Sequence, residues 1–194
     1  MYIIFEGVDT TGKSTQIELF AKRHIDIVTT KEPGGTKVGL KLREILLESD
    51  EKLGVNAELF LFLADRAEHY EKVVEPALEE NYVFSDRGLI SGISYALANH
   101  PKLERDFLLD VNKFALGGKL PDRVVLFNTS YELITSRLSD KQKDKIEKRG
   151  IEYLLRVQSL MKETLEALHV EYIEVDSADT IEEIYKQIED FIYG

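Results

Sequence analysis

The residues of this chain that could do chemistry begin with an eight-residue stretch near its N-terminus. The stretch fits the pattern G-x-x-x-x-G-K-[ST], in which backbone N–H groups surround a phosphate, the lysine reaches the β- and γ-phosphates, and the hydroxyl ligates Mg²⁺. Its members are Gly7, Val8, Asp9, Thr10, Thr11, Gly12, Lys13 and Ser14. An apolar segment precedes it and a short helical pattern follows it, as the motif requires. The alternative, a glycine turn that matches by chance, lacks that context.

Two further polar stretches follow predicted strands. Residues 31–36, Lys-Glu-Pro-Gly-Gly-Thr, follow the second strand, and residues 85–88, Ser-Asp-Arg-Gly, follow the third. Loops after parallel strands border the ligand crevice. At such a place Asp86 could hold the shell of a Mg²⁺ ion, and Arg87 could grip a phosphate through two hydrogen bonds. The plainer interpretations are an ordinary turn and a helix N-cap beside a surface arginine.

A predicted helix carries Phe62 and Arg66 four residues apart, and therefore on one face. A ring and a guanidinium on one face could hold a nucleic base by stacking and hydrogen bonding. Without further context, a core phenylalanine beside a surface arginine is the simpler interpretation.

Apolar segments alternate with helical-period segments, which predicts an α/β fold with a parallel sheet. The predicted strands span residues 2–6, 26–30, 82–85, 123–128 and 171–175. The clearest helices span about residues 56–80 and 147–168. A last helix opens with the capping box of Thr180 and Glu183, and its apolar face, expected to be core, comprises Ile181, Ile184, Tyr185, Ile188, Phe191 and Ile192. The polar, lysine-rich residues 139–145 are predicted to form an exposed mobile loop.

Composition excludes several classes of function. The 194 residues fit one globular domain, and a net charge of −11 argues against a nucleic-acid partner. Without cysteine there is no disulfide, thiol nucleophile or cysteine metal site. The chain enters a strand without a leader-like segment and holds no long apolar run, so we expect a cytoplasmic protein with no membrane partner.

Together these stretches resemble the thymidylate kinase (dTMP kinase) family, in its bacterial-type branch, over essentially the whole chain. The matching segments are residues 5–9, 13–15, 31–36, 40–46, 60–66, 86–95 and 144–147. Many NTPases share the phosphate loop. Its combination with the Glu-Pro-Gly-Gly-Thr turn, the Phe/Arg helix and the Asp-Arg…Ser…Tyr segment is much more specific.

The resemblance implies a P-loop NTPase fold, with a five-stranded parallel sheet wrapped by helices. Residues 1–194 would form a single domain, with a flexible lid at about residues 138–148. The implied reaction transfers the γ-phosphoryl group of ATP to dTMP, giving dTDP and ADP in dTTP biosynthesis, with Mg²⁺ as cofactor. The resemblance also implies a homodimer, to which the apolar residues 58–67 would contribute.

The implied site residues form overlapping sets. ATP would be bound by Gly7, Val8, Asp9, Thr10, Thr11, Gly12, Lys13, Ser14, Thr15 and Arg137, the last stacking over adenine. The dTMP molecule would be bound by Asp9, Glu32, Arg43, Phe62, Arg66, Asp86, Arg87 and Tyr95. Catalysis would rest on Lys13, Arg87 and Lys145. Mg²⁺ would be held by Ser14 and, through water, Asp86.

Within the dTMP set, the resemblance gives each side chain a task. Arg43 and Arg87 would grip the acceptor phosphate. Phe62 would stack on thymine, and Arg66 would hydrogen-bond the base. Tyr95 would pack against the deoxyribose and disfavour a 2′-hydroxyl.

The chain departs from the family pattern at several positions. Some members carry an arginine in the phosphate loop where this chain has Thr10, so the lid must supply the charge, and there Lys145 replaces the usual arginine. The aromatic residue that usually follows Asp-Arg is Gly88, and the glutamine that usually reads thymine is Ala96. Base recognition should therefore depend more on Phe62 and Arg66.

Three alternatives remain open from the sequence. Another nucleoside monophosphate kinase, for UMP, CMP or dGMP, would share the phosphate loop and the lid. A GTP-binding switch protein would carry D-x-x-G and N-K-x-D segments, and neither stands in a fitting position, since Asn112-Lys113 is followed by Phe114-Ala115. A shikimate- or gluconate-type small-molecule kinase is a weaker third.

Overall fold

The computed structural model describes residues 1–138 and 150–194. Within them, five strands form one parallel sheet in the order β2-β3-β1-β4-β5. The strands are β1 (Tyr2–Glu6), β2 (Ile27–Lys31), β3 (Tyr82–Asp86), β4 (Arg123–Asn128) and β5 (Glu171–Asp176). The predicted five-stranded parallel sheet is confirmed, and no observed strand end differs from its predicted position by more than about one residue.

Helices lie on both sides of this sheet. In the described residues they are α1 (Lys13–Arg23), α2 (Lys37–Arg43), α3 (Val55–His69), α4 (Glu75–Ala77), α5 (Leu89–Asn99), α6 (Arg105–Ala115), α7 (Tyr131–Leu138), α8 (Ile151–Leu168) and α9 (Ile181–Tyr193). Two π-helical turns, Glu44–Glu48 and Tyr70–Val74, continue α2 and α3. Residues 139–149, which include Lys145 and most of the predicted lid, lie outside the described residues.

The helix predicted over residues 56–80 is interrupted. It ends as α3 at His69, passes through the π-helical turn Tyr70–Val74, and resumes as the short α4. Pro76, at the start of α4, has no N–H to donate, so an uninterrupted α-helical ladder is not possible there. The predicted helix over residues 147–168 corresponds to α8, which begins at Ile151 in the described chain.

The sheet divides the core into two apolar layers. Every residue of β1 is buried, because helices cover both of its faces. On one side Ile4 packs in a cluster with side chains of α3, α5, α6 and α8. On the other side Phe5 packs with side chains of α1 and α9. This layering fixes β1 at the centre of the sheet. The loops that follow β1, β2 and β3 lie together at the carboxyl ends of the parallel strands.

Helix α9 begins as predicted, with the capping box of Thr180 and Glu183. Its apolar face is buried or half-buried except at one residue, because Ile181 is 55% exposed. The prediction that Ile181 belongs to the core is wrong. As the first residue of α9 it contacts α1 through its backbone, whose carbonyl accepts a hydrogen bond from Gln16 Nε2 at 2.8 Å.

None of the helices in the described residues combines the length and the apolarity that crossing a membrane requires.

Candidate active site

The phosphate loop connects the buried end of β1 to the first turn of α1. Gly7 and Gly12 have φ angles of 147° and 97°, which favour glycine. A Cβ at Gly7 would lie 2.8 Å from the carbonyl oxygen of Phe127, so the loop also needs a glycine there for space. Thr10 adopts a φ of 66°. The loop thus leads into a helix N-terminus, a site that favours anions.

Lys13 is folded back onto its own loop. Its Nζ donates to the carbonyl oxygens of Gly7 at 3.1 Å and Val8 at 2.9 Å, and the residue is 6% exposed. Burial, followed by the neighbouring Arg87 charge, lowers the pKa of Lys13 to about 8. A phosphate would offer this ammonium the anionic partner that the loop carbonyls do not provide.

Ser14 and Asp86 meet across the crevice. The Ser14 hydroxyl donates to Asp86 Oδ2 at 2.6 Å, although the two residues are 72 positions apart. A hydroxyl and a carboxylate are hard oxygen ligands of the kind that Mg²⁺ binds. The described residues contain no cluster of three or more His, Cys, Asp or Glu side chains that could hold a metal. A magnesium ion here would therefore also need oxygens from water and nucleotide, which is usual for Mg²⁺.

Arg87 connects the third strand to the phosphate loop. Its guanidinium donates to the Gly7 carbonyl at 2.7 Å, to Ser91 Oγ at 3.0 Å and to Asp9 Oδ1 at 2.6 Å. Burial acts to lower the pKa of Arg87, but Tyr95 and then Asp9 outweigh it, so the pKa is raised. Arg87 is therefore a permanent cation at the junction of the loops.

Glu6, the last residue of β1, binds the segment that follows Arg87, a role that the sequence did not reveal. Its fully buried carboxylate accepts hydrogen bonds from the backbone N–H of Gly88 at 2.9 Å, from that of Ser91 at 3.1 Å and from the Ser91 hydroxyl. Burial raises the pKa of Glu6. A carboxylate that ends a fully apolar strand was the available signal, because buried acids are rare without such partners.

A second charged cluster lies deeper, between β2 and α3. Glu32 Oε2 lies 2.8 Å from Arg66 Nη2, and Glu32 Oε1 lies 2.9 Å from His69 Nδ1. The side chains are 3%, 4% and 0% exposed, respectively. Burial acts to raise the pKa of Glu32, but the Arg66 charge and the His69 hydrogen bond hold it below its usual range. Arg66 also donates to Asn112 Oδ1, from α6.

The loop after β2 is held tightly against α3. The Gly34 N–H donates to Asp65 Oδ1 at 2.9 Å. A Cβ at Gly35 would lie 2.3 Å from His69 Cδ2, and one at Gly39 would lie 2.4 Å from Asp65 Oδ1. Gly35 is therefore needed for close approach of the loop to α3, and Gly39 for close approach of α2 to α3. The loop is fixed as one unit with the helix that carries Phe62 and Arg66.

Two adjoining cavities connect these clusters. The first, about 670 Å³, is lined by the phosphate loop and by Asp86, Ser136 and Arg137. The second, about 530 Å³, is lined by Phe62, Arg66 and Tyr95, among others. Four residues border both cavities: Asp9, Glu32, Arg43 and Arg87. A separate cavity of about 450 Å³, beside α1 and α9, is lined by none of the predicted site residues.

The structure thus gathers most of the predicted site residues. Gly7 and Val8 are the first two residues of the phosphate loop. The other predicted positions line the two cavities, except Lys145, which is outside the described residues.

Three predicted arginines have partners within the protein. Arg43 donates to the Pro33 carbonyl at 3.0 Å. Arg137 donates to the carbonyls of Thr10 at 2.8 Å and Ser177 at 2.7 Å, so it fixes the phosphate loop from the side. Arg66, for which a surface position was the simpler alternative, is buried.

Comparison with known proteins adds an independent result. The family model for thymidylate kinase matches residues 5–188. The thymidylate kinase of Campylobacter concisus (strain 13826) is 55% identical over 193 residues, covering 99% of this chain and 98% of the relative. That of Sulfurovum sp. (strain NBC37-1) is 54% identical over 188 residues, covering 97% of each.

Solved structures agree on the fold. The thymidylate kinase of Ehrlichia chaffeensis superposes with a TM-score of 0.79 at 21% identity, covering 99% of this chain and 98% of that one. The Candida albicans enzyme superposes with a TM-score of 0.77 at 22% identity, covering 98% and 90%. At these identities the likeness concerns the fold, which is the P-loop NTPase fold.

Proposed function

The chain belongs to the thymidylate kinase family, and from that premise we propose that it transfers the γ-phosphoryl group of ATP to dTMP, giving dTDP and ADP. The observation that carries the proposal is the pair of adjoining cavities. One is built on a phosphate loop, and the other is lined by Phe62, Arg66 and Tyr95. Arg87 and Arg43 lie where the cavities meet, beside the carboxylates of Asp9 and Glu32, so two guanidinium groups stand between a donor site and an acceptor site.

Phosphoryl transfer between two nucleotides requires mainly that the protein position them and supply positive charge. The phosphate of a monophosphate ester has a second pKa near 6, so at neutral pH it is mostly a dianion and needs no strong general base. The obstacle is repulsion between two anionic nucleotides, and phosphoryl-transfer enzymes overcome it by orientation and electrostatics. Lys13 would exchange its bonds to the Gly7 and Val8 carbonyls for bonds to the donor phosphates. Arg87, already aimed by Gly7, Asp9 and Ser91, would hold the acceptor phosphate.

Ser14 and Asp86 are the residues that would hold Mg²⁺, Asp86 through water. The ion would supply positive charge that neutralises the donor phosphates. The hydrogen bond between Ser14 and Asp86 already brings the two oxygens together at 2.6 Å, which supports this assignment.

The lid is part of the proposal. Residues 138–148 would cover the donor phosphates, and Lys145 would act on the transferring group in place of the arginine that some relatives carry at the position of Thr10. An arginine finger contributes about 10³–10⁵ in rate in other phosphoryl-transfer enzymes. Wild-type turnover in Lys145→Ala, with Lys141 and Lys143 intact, would contradict this role.

We propose that residues 1–194 act as one domain and that two copies associate through α3 and α6. Phe60 on α3 is 61% exposed, and Phe107 and Phe114 on α6 are 47% and 87% exposed. Exposed aromatic side chains on neighbouring helices are typical of a surface that is covered by a partner. Sedimentation equilibrium of the wild type and of Phe60→Glu/Phe114→Glu tests this, and a wild-type monomer at micromolar concentration would contradict it.

The activity is tested by measuring ADP release with ATP, Mg²⁺ and a panel of dTMP, UMP, CMP and dGMP. We expect dTMP to give the highest kcat/KM, in a reaction that belongs to dTTP biosynthesis in the cytoplasm. A clear preference for UMP would overturn the assignment. Turnover of none of the four would contradict a nucleoside monophosphate kinase.

A further inference from the structure

The Arg66 guanidinium is held from two sides. Its Nη1 donates to Asn112 Oδ1 from α6, and its Nη2 lies 2.8 Å from Glu32 Oε2 at the end of β2. Arg66 is 3% exposed and Asn112 is 1% exposed. Three elements that are distant in sequence thus fix the orientation of one planar cation.

The orientation of the Asn112 amide is itself determined. Its Nδ2 donates to the carbonyl oxygen of Leu108, one turn earlier in α6, at 2.6 Å. Because the nitrogen is engaged with the helix backbone, the amide oxygen is the atom that faces Arg66. A buried asparagine placed in this way acts as a fixed acceptor.

Helix α5 leaves space for this arrangement at Gly92. A Cβ built there would lie 3.0 Å from Arg66 Nη2 and 3.1 Å from Nη1. Because Asn112 and Glu32 hold the guanidinium from both sides, it could not move away freely. Any side chain at position 92 would therefore press on Arg66.

Arg66 retains capacity to donate. A guanidinium carries five N–H groups, and Arg66 Nε is buried with no hydrogen-bond partner among the described residues. Arg66, Gly92 and Asn112 all line the cavity of about 530 Å³. A guanidinium donates and never accepts, so on a nucleic base it bonds to an acceptor such as a carbonyl oxygen.

We propose that Asn112 is a positioning residue that acts through Arg66 to select pyrimidines with a carbonyl, rather than an amino group, at ring position 4. The inference rests on the proposed acceptor site. Thymine and uracil present an acceptor oxygen at that position, whereas cytosine presents an amino donor. A guanidinium in a fixed orientation donates to the carbonyl oxygen, but it faces the amino group of cytosine with another donor. If the guanidinium could reorient, it would discriminate less between the two kinds of pyrimidine.

The test compares Asn112→Leu, Asn112→Asp and Gly92→Ala with the wild type. Asn112→Leu removes the acceptor, whereas Asn112→Asp keeps an acceptor oxygen. Gly92→Ala presses on Arg66 without removing either of its partners, and the higher helix propensity of alanine offsets part of the strain. Asn81→Leu is the matched control, because Asn81 Nδ2 also donates to a carbonyl four residues earlier, that of Ala77, away from the cavity.

KM and kcat are measured for dTMP and ATP, together with the ratio of kcat/KM for dUMP over dCMP, which share an unsubstituted position 5. We expect Asn112→Leu and Gly92→Ala to raise KM for dTMP about tenfold, the factor for one lost charge-assisted hydrogen bond. The dUMP/dCMP ratio should fall, while KM for ATP stays unchanged. Asn112→Asp keeps the acceptor for Arg66 but turns a second oxygen toward the Leu108 carbonyl, so its dUMP/dCMP ratio should fall less than that of Asn112→Leu. Asn81→Leu should behave like the wild type.

Two outcomes would overturn the inference. One is an unchanged dUMP/dCMP ratio in both Asn112→Leu and Gly92→Ala. The other is an equal defect in Asn112→Asp and Asn112→Leu, which would indicate a packing role. If Asn112→Leu does not fold, Gly92→Ala decides. Wild-type preference for UMP over dTMP would contradict the proposed function separately, and the carbonyl-over-amino ratio would still test Asn112.

Discussion

The phosphate end and the base end of the crevice use charge in different ways. At the phosphate end, Lys13 is bonded to neutral carbonyls of its own loop, and Arg87 pairs with an Asp9 side chain that is 30% exposed. At the base end, Arg66 and Glu32 form a pair whose side chains are 4% and 3% exposed. Lys13 is held in place by contacts that a ligand can replace, and Arg87 is held by a partly exposed ion pair. Arg66 is locked into the core.

This difference suits the cations at the two ends to different tasks, which are binding phosphate at one end and positioning the base at the other. A cation with neutral partners gains much from an arriving phosphate, since charge-assisted hydrogen bonds are the stronger kind. A cation already paired in the core gains less charge stabilisation but presents its remaining donors in a fixed direction. We therefore expect substitutions at the phosphate end to reduce the rate, and those at the base end to reduce stability and selectivity.

The largest effect should come from Lys13→Met. It removes the phosphate-loop cation, and we expect kcat with dTMP and ATP to fall by about 10³-fold or more. Thermal stability should change little, because removing a desolvated charge offsets the loss of the hydrogen bonds to the loop carbonyls. Lys22→Met, an exposed lysine on the same helix, is the control and should keep full activity. A Lys13→Met enzyme with normal turnover would remove the basis for the proposed reaction.

The second prediction compares the two ion pairs directly. Glu32→Gln leaves the Arg66 charge buried without its partner, and we expect the free energy of unfolding to drop by about 3–5 kcal/mol. Asp9→Asn breaks a partly exposed pair and should cost less than about 1 kcal/mol. Urea unfolding of both variants measures the difference, and similar losses would show that the two ends do not differ as described.

The third prediction concerns pH. Lys13 in the free protein has a pKa of about 8, and bound phosphate raises that value by favouring the charged form. ATP binding should therefore take up a proton above pH 8. Kd for ATP should not vary through Lys13 below that pH, and should rise above it by up to about tenfold per pH unit. Titration calorimetry in buffers of different ionisation enthalpy detects the proton, and Lys13→Arg should show no uptake.

The smallest effect that we predict is a decrease in the free energy of unfolding at acidic pH, caused by protonation of Glu32 at the base end. The pKa of Glu32 is lower in the folded protein than in the unfolded chain, so ionised Glu32 stabilises the fold above the unfolded pKa. That stability is lost as pH falls through the folded pKa, with a slope of at most about 1.4 kcal/mol per pH unit. The unfolding free energy of Glu32→Gln should depend less on pH in this acidic range. Parallel curves for the two proteins would argue against the ion pair.

The sequence predicted the phosphate end better than the base end, for a physical reason. Apolar strands are local patterns, and parallel pairing brings the loops after them to one edge, so residues 7–14 and Asp86-Arg87 could be placed together. The base end depends on how α3 and α6 pack. Nothing local to Asn112 indicates that it meets Arg66, 46 residues away.

The roles of residues that hold the site residues in place were also hard to predict from the sequence. Glu6 is the last residue of an apolar strand, and its three donors all come from a segment more than 80 residues later. His69 reaches Glu32 only because α3 lies against β2. Arg137 was expected to stack on adenine, from resemblance; its contacts with the Thr10 and Ser177 carbonyls depend on the ends of two strands.

The close approach of Gly35 to His69 has an evolutionary consequence. Since a Cβ at position 35 would lie 2.3 Å from the imidazole, a relative that carries a larger residue there must carry a smaller one at position 69. Positions 39 and 65 are bound in the same way. A chimera that exchanges the loop of residues 31–36 should therefore fold only if position 35 remains glycine or position 69 takes a smaller side chain.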